Sequence, residues 1–288
     1  MRALLPSMPA RRRLIDAAVV AAMAWGVALA ALHSGMANAE ASIKPKVTAS
    51  AVEKPASVLY IGSSFFYYNN GINNMVSKLL ASADPQYKLS SVMVTISGSG
   101  FDWHDVDSYF RPNAIARYTI DAQNNLTFNK RERLFDLAVM MDCSQCPLHP
   151  ELKRNFIDFA RQNAATVRRH GAQPVLFMSW AYLDKPEMTQ PLADAYTQAG
   201  NDNDALVIPA GLAFARAVKQ RPDLTIYMPD KRHPTLAGSY LAAATTYATI
   251  FRKSPVGLRE TMGLDIDTAK ALQSIAWETA EAYFGPKF

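Results

Sequence analysis

Cysteine is nearly absent from this chain: its 288 residues contain only Cys143 and Cys146. The C-x-x-C spacing is typical of a redox motif or of half a zinc site, but no second pair exists to complete such a site. His149 is the only nearby candidate for a third ligand, and the flanking residues lack the strand-to-helix pattern of a thioredoxin. We therefore predict a short structural disulfide and no metal, with two free thiols, or metal or redox chemistry, as alternatives.

The chain also lacks a clean apolar run of about 20 residues, the length that a membrane-spanning helix needs. Its most apolar stretch, residues 14–32, contains Asp16, follows the basic cluster 11–13 and precedes the A-x-A pattern at 37–39. These features are typical of a signal peptide. We predict cleavage after Ala39 and a periplasmic or secreted protein, with an uncleaved anchor as the alternative. The arginine cluster leaves both the general secretory and the twin-arginine routes open.

Net charge is small once this leader is set aside. The formal charge of +5 and the isoelectric point of about 9.1 would by themselves favour nucleic acid or an anionic membrane as a partner. Removal of residues 1–39 takes away four arginines and one aspartate and leaves 26 basic against 24 acidic residues, a charge of +2. We therefore predict no nucleic-acid partner and no stable membrane insertion after cleavage. Oligomeric state is left unpredicted.

The remaining chain has the pattern of one α/β domain. Residues 40–56 are small, polar and punctuated by proline, which predicts a linker before a domain at 57–288. Short runs rich in Val, Ile, Leu and Met alternate with stretches of helical spacing, which predicts a parallel sheet of about five strands covered by helices on both faces, in three layers. The predicted strands are 58–61, 91–96, 137–141, 174–178 and 206–208, the predicted helices 72–83, 151–170, 188–199, 212–220, 235–251 and 267–283, and the predicted insertion 101–135.

Two distant segments carry the residue types of nucleophilic catalysis. Ser64 follows the first predicted strand at a tight turn, where a hydroxyl can stand at the carboxyl edge of the sheet. Far downstream, Asp230 precedes His233 by three residues, so its carboxylate can hold the imidazole in the tautomer that a general base needs. Either segment alone would be an ordinary turn or helix start. Their joint occurrence favours a Ser-His-Asp site.

These segments resemble a known superfamily. Residues 61–65, I-G-S-S-F, resemble the first block of the SGNH/GDSL hydrolases, and residues 230–238, D-K-R-H-P-T-L-A-G, resemble the last block. The longer string IGSSFFYYNN is most similar to a poorly characterised bacterial group that reads I-G-N-S-F-T-Y-Y-N. The resemblance implies a flavodoxin-like sheet, with Ser64 attacking an ester carbonyl, His233 accepting its proton and Asp230 orienting the imidazole.

The resemblance also implies the groups that stabilise the oxyanion. They are the backbone N–H of Ser64 and that of a glycine in the second block, S-G-S-G-F-D-W-H at 97–104, where we prefer Gly98 over Gly100. Ser63 stands where the family has asparagine or aspartate, beside the nucleophile position.

The third block departs from the family pattern. The family usually supplies an asparagine, in G-x-N-D, whose side chain donates to the oxyanion, and residues 140–146 contain none. An ionised Asp142 cannot donate, so Ser144 or Gln145 would have to stand in, held by the Cys143–Cys146 bridge. Loss of one oxyanion donor typically costs about a hundredfold or more in rate.

Aromatic residues near these blocks have two readings. Phe65, Trp180 and Tyr182 are candidates for the wall of a substrate pocket, with core packing as the alternative. The same two interpretations apply to the aromatic run 65–68. His104, between two aspartates, is expected to lie on a solvated loop.

Together these features predict an exported serine hydrolase that cleaves carboxylic esters through an acyl-serine intermediate, without metal or organic cofactor. The expected substrate is a small-molecule or glycan ester with a short acyl group, such as an acetyl group on a polysaccharide. An O-acyltransferase acting on an envelope glycan is one alternative. A catalytically inactive binding module, suggested by the missing asparagine, is the other.

Overall fold

The computed structural model describes residues 41–111, 115, 118–128, 133–285 and 288. The predicted signal peptide, residues 1–39, lies outside the described residues, so its prediction stands on sequence alone. Within the described ranges, no helix combines the length and the apolar character needed to cross a bilayer.

The centre of the molecule is a five-stranded parallel sheet, which confirms the predicted α/β class. The strands are β1 (Ser57–Gly62), β2 (Ser90–Thr95), β5 (Leu137–Met140), β6 (Gln173–Phe177) and β7 (Leu206–Ile208), and a separate antiparallel hairpin consists of β3 (Tyr118–Ile120) and β4 (Leu126–Phe128). Their order is β2-β1-β5-β6-β7, and every neighbouring pair is parallel. Every residue of β1 is buried, because helices cover both faces of the sheet.

Seven helices accompany the sheet among the described residues. They are α1 (Ser64–Tyr67), α2 (Ile72–Ala83), α3 (Lys153–Arg169), α4 (Thr189–Asp202), α5 (Ala210–Gln220), α6 (Leu236–Phe251) and α7 (Ile266–Phe284). Helices α2, α5, α6 and α7 pack with one another over one face of the sheet, and α3 and α4 cover the other. Helix α6 lies at the middle of its layer, since every residue from Ala237 to Ile250 is buried.

Residues 41–56, predicted as a linker, contain no helix or strand but lie along the domain surface. Backbone N–H groups donate from Lys46 to Asn201 Oδ1 (2.7 Å), from Ala51 to Gln173 Oε1 (2.8 Å) and from Ala56 to Asp136 Oδ2 (2.7 Å). These bonds attach the segment to α4, to β6 and to the start of β5.

The order of the strands determines where a site is expected. The chain moves outward from β1 to β2 and then returns to the opposite side of β1 with β5. In such a sheet a crevice opens at the carboxyl ends of the two strands at which the direction reverses. Ser64 directly follows β1 and Asp142 closely follows β5, so both stand at this crevice.

Candidate active site

Ser64 is the first residue of the four-residue helix α1, directly after the turn that ends β1. Gly62 allows that turn to pack closely, because a Cβ there would lie 3.0 Å from Phe66 Cδ2 and 3.3 Å from Met141 Cβ. The N–H of a first helical residue has no carbonyl partner within its own helix. The turn therefore presents both the hydroxyl and the backbone N–H of Ser64 at the crevice.

The structure brings Ser64, His233 and Asp230 together. Ser64 Oγ lies 2.9 Å from His233 Nε2, and His233 Nδ1 lies 2.5 Å from Asp230 Oδ2. With the ring proton on Nδ1 and donated to Asp230, Nε2 is free to accept the proton of the serine hydroxyl. The order of these contacts is that of a nucleophile, a general base and a residue that orients the base.

Asp230 is held as a carboxylate by donors around it. Its Oδ1 accepts the backbone N–H groups of Arg232 (2.9 Å) and His233 (3.0 Å), while Oδ2 accepts from the imidazole. Partial burial acts to raise the pKa of Asp230, but the hydrogen bonds from the His233 ring and from these two backbone groups outweigh it and lower the pKa to about 2. The residue therefore stays ionised over the whole range in which a histidine can act as a base.

The loop that carries His233 is held by one bond within it and by two bonds from the segment after β6. Met228 N donates to His233 O (2.8 Å), Leu183 N donates to Lys231 O (2.9 Å) and Trp180 Nε1 donates to Arg232 O (2.9 Å). Lys231 has a φ of 64°, a left-handed conformation that lets the chain turn sharply between Asp230 and His233. The imidazole is thus placed by a rigid loop.

The substrate-binding prediction for Trp180 is corrected by its burial. Its side chain is 0% exposed and lies between the rings of Phe65 (centroids 4.2 Å apart) and Phe214 (4.0 Å). A ring enclosed on both faces has no surface for a substrate. Trp180 instead supports the histidine loop, and Phe65, which is 3% exposed, belongs to the same stack and meets His233 edge-on.

Tyr182 is also largely buried, at 6% exposure. Its hydroxyl lies 2.7 Å from Ser144 Oγ, and the guanidinium of Arg232 lies 4.8 Å from the centre of its ring. The Ser144 hydroxyl is therefore engaged by Tyr182, whereas the Gln145 side chain is exposed. Tyr182 joins the third block to the histidine loop.

The two glycines of the second block have different surroundings. Gly98 is exposed, with a φ of 73° and no atom within 4 Å of the position that a Cβ would take. Gly100 is buried, and a Cβ there would lie 2.7 Å from Asp102 Oδ1 and 2.9 Å from Asp142 Oδ1. Gly100 therefore serves close packing, and Gly98 is the glycine open to solvent.

A buried hydrogen-bond chain ties this loop to the end of β1, and it was not predicted. Ser99 Oγ donates to Gly62 O (3.1 Å) and lies 3.0 Å from His104 Nε2, while His104 Nδ1 lies 3.0 Å from Tyr109 Oη. Because the Ser99 hydroxyl donates its proton to Gly62 O, its oxygen can only accept from His104. The neutral imidazole of His104 therefore carries its proton on Nε2. The solvated loop expected for His104 is wrong: the residue is 5% exposed, and burial lowers its pKa.

The third block also holds a buried acid. Asp142 is 1% exposed, and its Oδ1 accepts the N–H of Phe101 (2.7 Å), which anchors the second block. Burial raises the pKa of Asp142 to about 7, against the lowering effect of the N–H groups of Phe101 and Cys143.

The cysteine pair forms a disulfide, Cys143–Cys146, as predicted. No cluster of potential metal ligands occurs in the described parts of the chain.

Comparison with known proteins rests on solved structures, because no family model and no curated protein matches this chain. A DUF4886 family protein from Bacteroides uniformis superposes with a TM-score of 0.53 at 17% identity, over 77% of this chain and 93% of that one. A catalytic mutant of an acetylxylan esterase from Geobacillus stearothermophilus superposes with a TM-score of 0.50 at 15% identity, over 68% of this chain and 94% of that one. The chain has the SGNH hydrolase fold.

Within the SGNH fold, the main departure of this chain is at the third block. The asparagine that the superfamily resemblance leads us to expect is replaced by the buried Asp142 and by Ser144, whose hydroxyl is engaged by Tyr182. The block still contains side chains that can donate a hydrogen bond: the Ser144 hydroxyl, since either it or Tyr182 can be the donor in their contact, and the exposed Gln145 amide.

Replacement of Asp230 by asparagine is expected to lower kcat for ester hydrolysis by at least a hundredfold. The amide cannot accept the Nδ1 proton as a carboxylate does, so the proton moves to Nε2 and the ring can no longer accept from Ser64. Steady-state kinetics of Asp230→Asn against Asp223→Asn would measure this, since Asp223 is an exposed carboxylate paired with Arg221. A loss below tenfold in Asp230→Asn would contradict the role.

Proposed function

We propose that this protein is an exported serine hydrolase that cleaves carboxylic esters through an acyl-serine intermediate. The observation that carries the proposal is the pair of contacts Ser64 Oγ to His233 Nε2 (2.9 Å) and His233 Nδ1 to Asp230 Oδ2 (2.5 Å). A serine hydroxyl is a weak nucleophile unless an adjacent base removes its proton, and this geometry provides such a base.

The reaction begins when His233 Nε2 takes the proton of Ser64 as Oγ attacks the ester carbonyl. The negative charge that forms on the carbonyl oxygen is met by the backbone N–H of Ser64 and by that of Gly98. The imidazolium then gives its proton to the departing alcohol oxygen, which leaves an acyl group on Ser64. A water molecule, deprotonated by the same imidazole, attacks the acyl carbon. The bond from that carbon to Ser64 Oγ then breaks, the acid is released, and the imidazolium returns its proton to Oγ.

The substrate we propose is an ester with a short acyl group on a glycan. The acetylxylan esterase from Geobacillus stearothermophilus shares the fold, which supports this class without fixing it.

Export is part of the proposal and rests on the leader at 1–39. The Cys143–Cys146 disulfide supports it, since disulfides persist in oxidising compartments such as the periplasm.

The decisive experiment treats the protein beginning at Glu40 with a fluorophosphonate probe and with p-nitrophenyl esters of increasing acyl length. We expect the probe to label Ser64 and the acetyl ester to be hydrolysed faster than the octanoyl ester. Absence of labelling, with no ester cleaved, would overturn the proposal in favour of a binding module. Acetyl transfer to an added oligosaccharide in place of acetate release would replace the hydrolase with an O-acyltransferase.

A further inference from the structure

The two residues that follow α1, Tyr68 and Asn69, also contact the histidine loop. The Tyr68 ring is stacked on the His233 ring, with centroids 4.5 Å apart and planes inclined by 14°. On another side, Phe65 meets the same imidazole edge-on, with centroids 5.7 Å apart and planes inclined by 86°. The imidazole is therefore confined at one face and at one side by residues of the nucleophile's own segment.

Asn69 joins the same segment to the backbone that follows His233. Its Nδ2 donates to Pro234 O (3.0 Å) and to Ser239 Oγ (2.8 Å), so both amide hydrogens are used. Asn69 has a φ of 54° and a ψ of 44°, a left-handed conformation that asparagine adopts more readily than most residues. With Asn70 (φ 70°) and Gly71 (φ 83°) it makes a tight turn that directs Tyr68 and Asn69 to the histidine loop.

The two hydrogen bonds of the imidazole depend on the tilt of the ring. Asp230 holds Nδ1 and Ser64 holds Nε2, and both contacts are lengthened when the ring turns about its Cβ–Cγ bond. Such a rotation carries Nε2 away from the serine proton. A flat ring stacked on the imidazole face opposes it, and the face of a phenol ring also favours the positive charge that the imidazole acquires in the reaction.

We propose that Tyr68 and Asn69 are positioning residues for His233, with Tyr68 fixing the plane of the ring and Asn69 fixing the distance of its loop from the nucleophile. The proposal rests on the proposed function, because a general base is what must be positioned. Neither residue gives or takes a proton in the proposed reaction. Their removal should therefore lower kcat and leave KM for a small ester nearly unchanged, since misplacement of a catalytic group costs rate more than binding.

The test for Tyr68 compares Tyr68→Leu with Tyr68→Phe. The leucine variant removes the stacked ring and is expected to lower kcat for p-nitrophenyl acetate about tenfold, with KM within about twofold of wild type. The phenylalanine variant keeps the ring and is expected to stay within about twofold in both constants. Equal losses in the two variants, or a change in KM alone, would overturn the role of the ring.

The test for Asn69 uses variants that tolerate a positive φ. Asn69→Gly removes both donors without straining the backbone, and is expected to lower kcat about tenfold. Asn69→Asp places a second acceptor against Pro234 O and is expected to lower it further. Asn124→Gly is the matched control, because Asn124 also has a positive φ (60°) but lies at the turn of the β3–β4 hairpin. Wild-type kcat in Asn69→Gly would overturn the proposal.

A second readout does not depend on hydrolysis. Diethylpyrocarbonate modifies neutral imidazoles, and we expect His233 to be modified several-fold faster in Tyr68→Leu and Asn69→Gly than in wild type, as followed by peptide mass. Unchanged modification rates would contradict the positioning role of Tyr68 and Asn69, even if no ester were found to be cleaved. If the wild-type protein cleaves no ester but His233 is modified faster in the variants, the proposed hydrolase activity is wrong, while the contacts of Tyr68 and Asn69 still hold His233 in place.

Discussion

Alanine at Ser64 or at His233 is expected to lower kcat for ester hydrolysis by about 10⁴-fold or more, and the double variant is expected to lose little beyond either single one. The reason is that the two side chains act as a unit through the contact between Ser64 Oγ and His233 Nε2 (2.9 Å). Without the imidazole the hydroxyl keeps its proton, and without the hydroxyl the imidazole has no nucleophile to activate. Rate that survives in the double variant would come from binding and from the backbone donors at the crevice.

The neighbouring serine provides the control for this result. Ser63 precedes α1, makes no side-chain capping bond to the helix and is buried like Ser64. Ser63→Ala is therefore expected to keep activity within about threefold, since it removes a hydroxyl that does not cap the helix and leaves the contact between Ser64 and His233 in place. Initial rates with p-nitrophenyl acetate for the four variants would measure the effect. A multiplicative loss in the double variant would show that Ser64 and His233 act independently, contrary to the proposed mechanism.

Helices and strands were predictable where their pattern is local. Strand β7 and helix α2 have the predicted bounds, 206–208 and 72–83, because apolar runs and helical spacing are properties of neighbouring residues. Helix α4 continues to Asp202, three residues beyond its predicted end. Gly200 interrupts the sequence pattern, but in the structure it leaves room for Val207, whose Cγ2 would collide with a Cβ at this position. The contact between α4 and β7 therefore explains why this helix contains a glycine and extends beyond its predicted end.

The trio of Ser64, His233 and Asp230, which lie in contact, was predictable for a different reason. Asp230 and His233 are three residues apart, so their pairing is a local property, and the position of Ser64 after a buried strand places it at the carboxyl edge of any parallel sheet. The residues that surround the trio were not predictable, because their roles depend on contacts across the whole chain. Trp180 reaches the histidine loop over 52 positions and Asn69 over 165, and no pattern in sequence marks such pairs.

The burial of His104 and Asp142 illustrates the same limit. Both are polar residues in polar segments, for which exposure is the ordinary expectation. Both are buried because the insertion after β2 folds back over the ends of β1 and β5, so that Ser99 and Phe101 become their partners. Sequence alone predicted an insertion near the site at 101–135, but not which residues it would bury, because that depends on tertiary contacts.

Asp142 is a buried acid whose protonation is expected to control stability. Its Oδ2 has no hydrogen-bond partner among the described residues, and neither has the hydroxyl of Tyr196. Burial and the nearby charge of Asp142 both raise the pKa of Tyr196. The pKa of Asp142 is raised from 3.8 to about 7, mainly by burial. The folded protein therefore binds this proton more tightly than the unfolded chain does, and between about pH 4 and pH 7 the folded state holds more protons than the unfolded state. Stability must fall as pH rises through this window.

Asparagine at position 142 is expected to abolish this loss and to stabilise the protein at pH 8. The amide oxygen can accept the N–H of Phe101, as Oδ1 does at 2.7 Å, while no charge is left in the buried site. A shift of about three pKa units sets an upper limit of about 4 kcal/mol for the gain in the free energy of unfolding at pH 8, and the two proteins should be nearly equal at pH 4. Urea unfolding of Asp142→Asn and of the exposed control Asp223→Asn at both pH values would measure it. Lower stability of Asp142→Asn at pH 8 would mean that the carboxylate form is the one the fold requires, and the raised pKa would then be wrong.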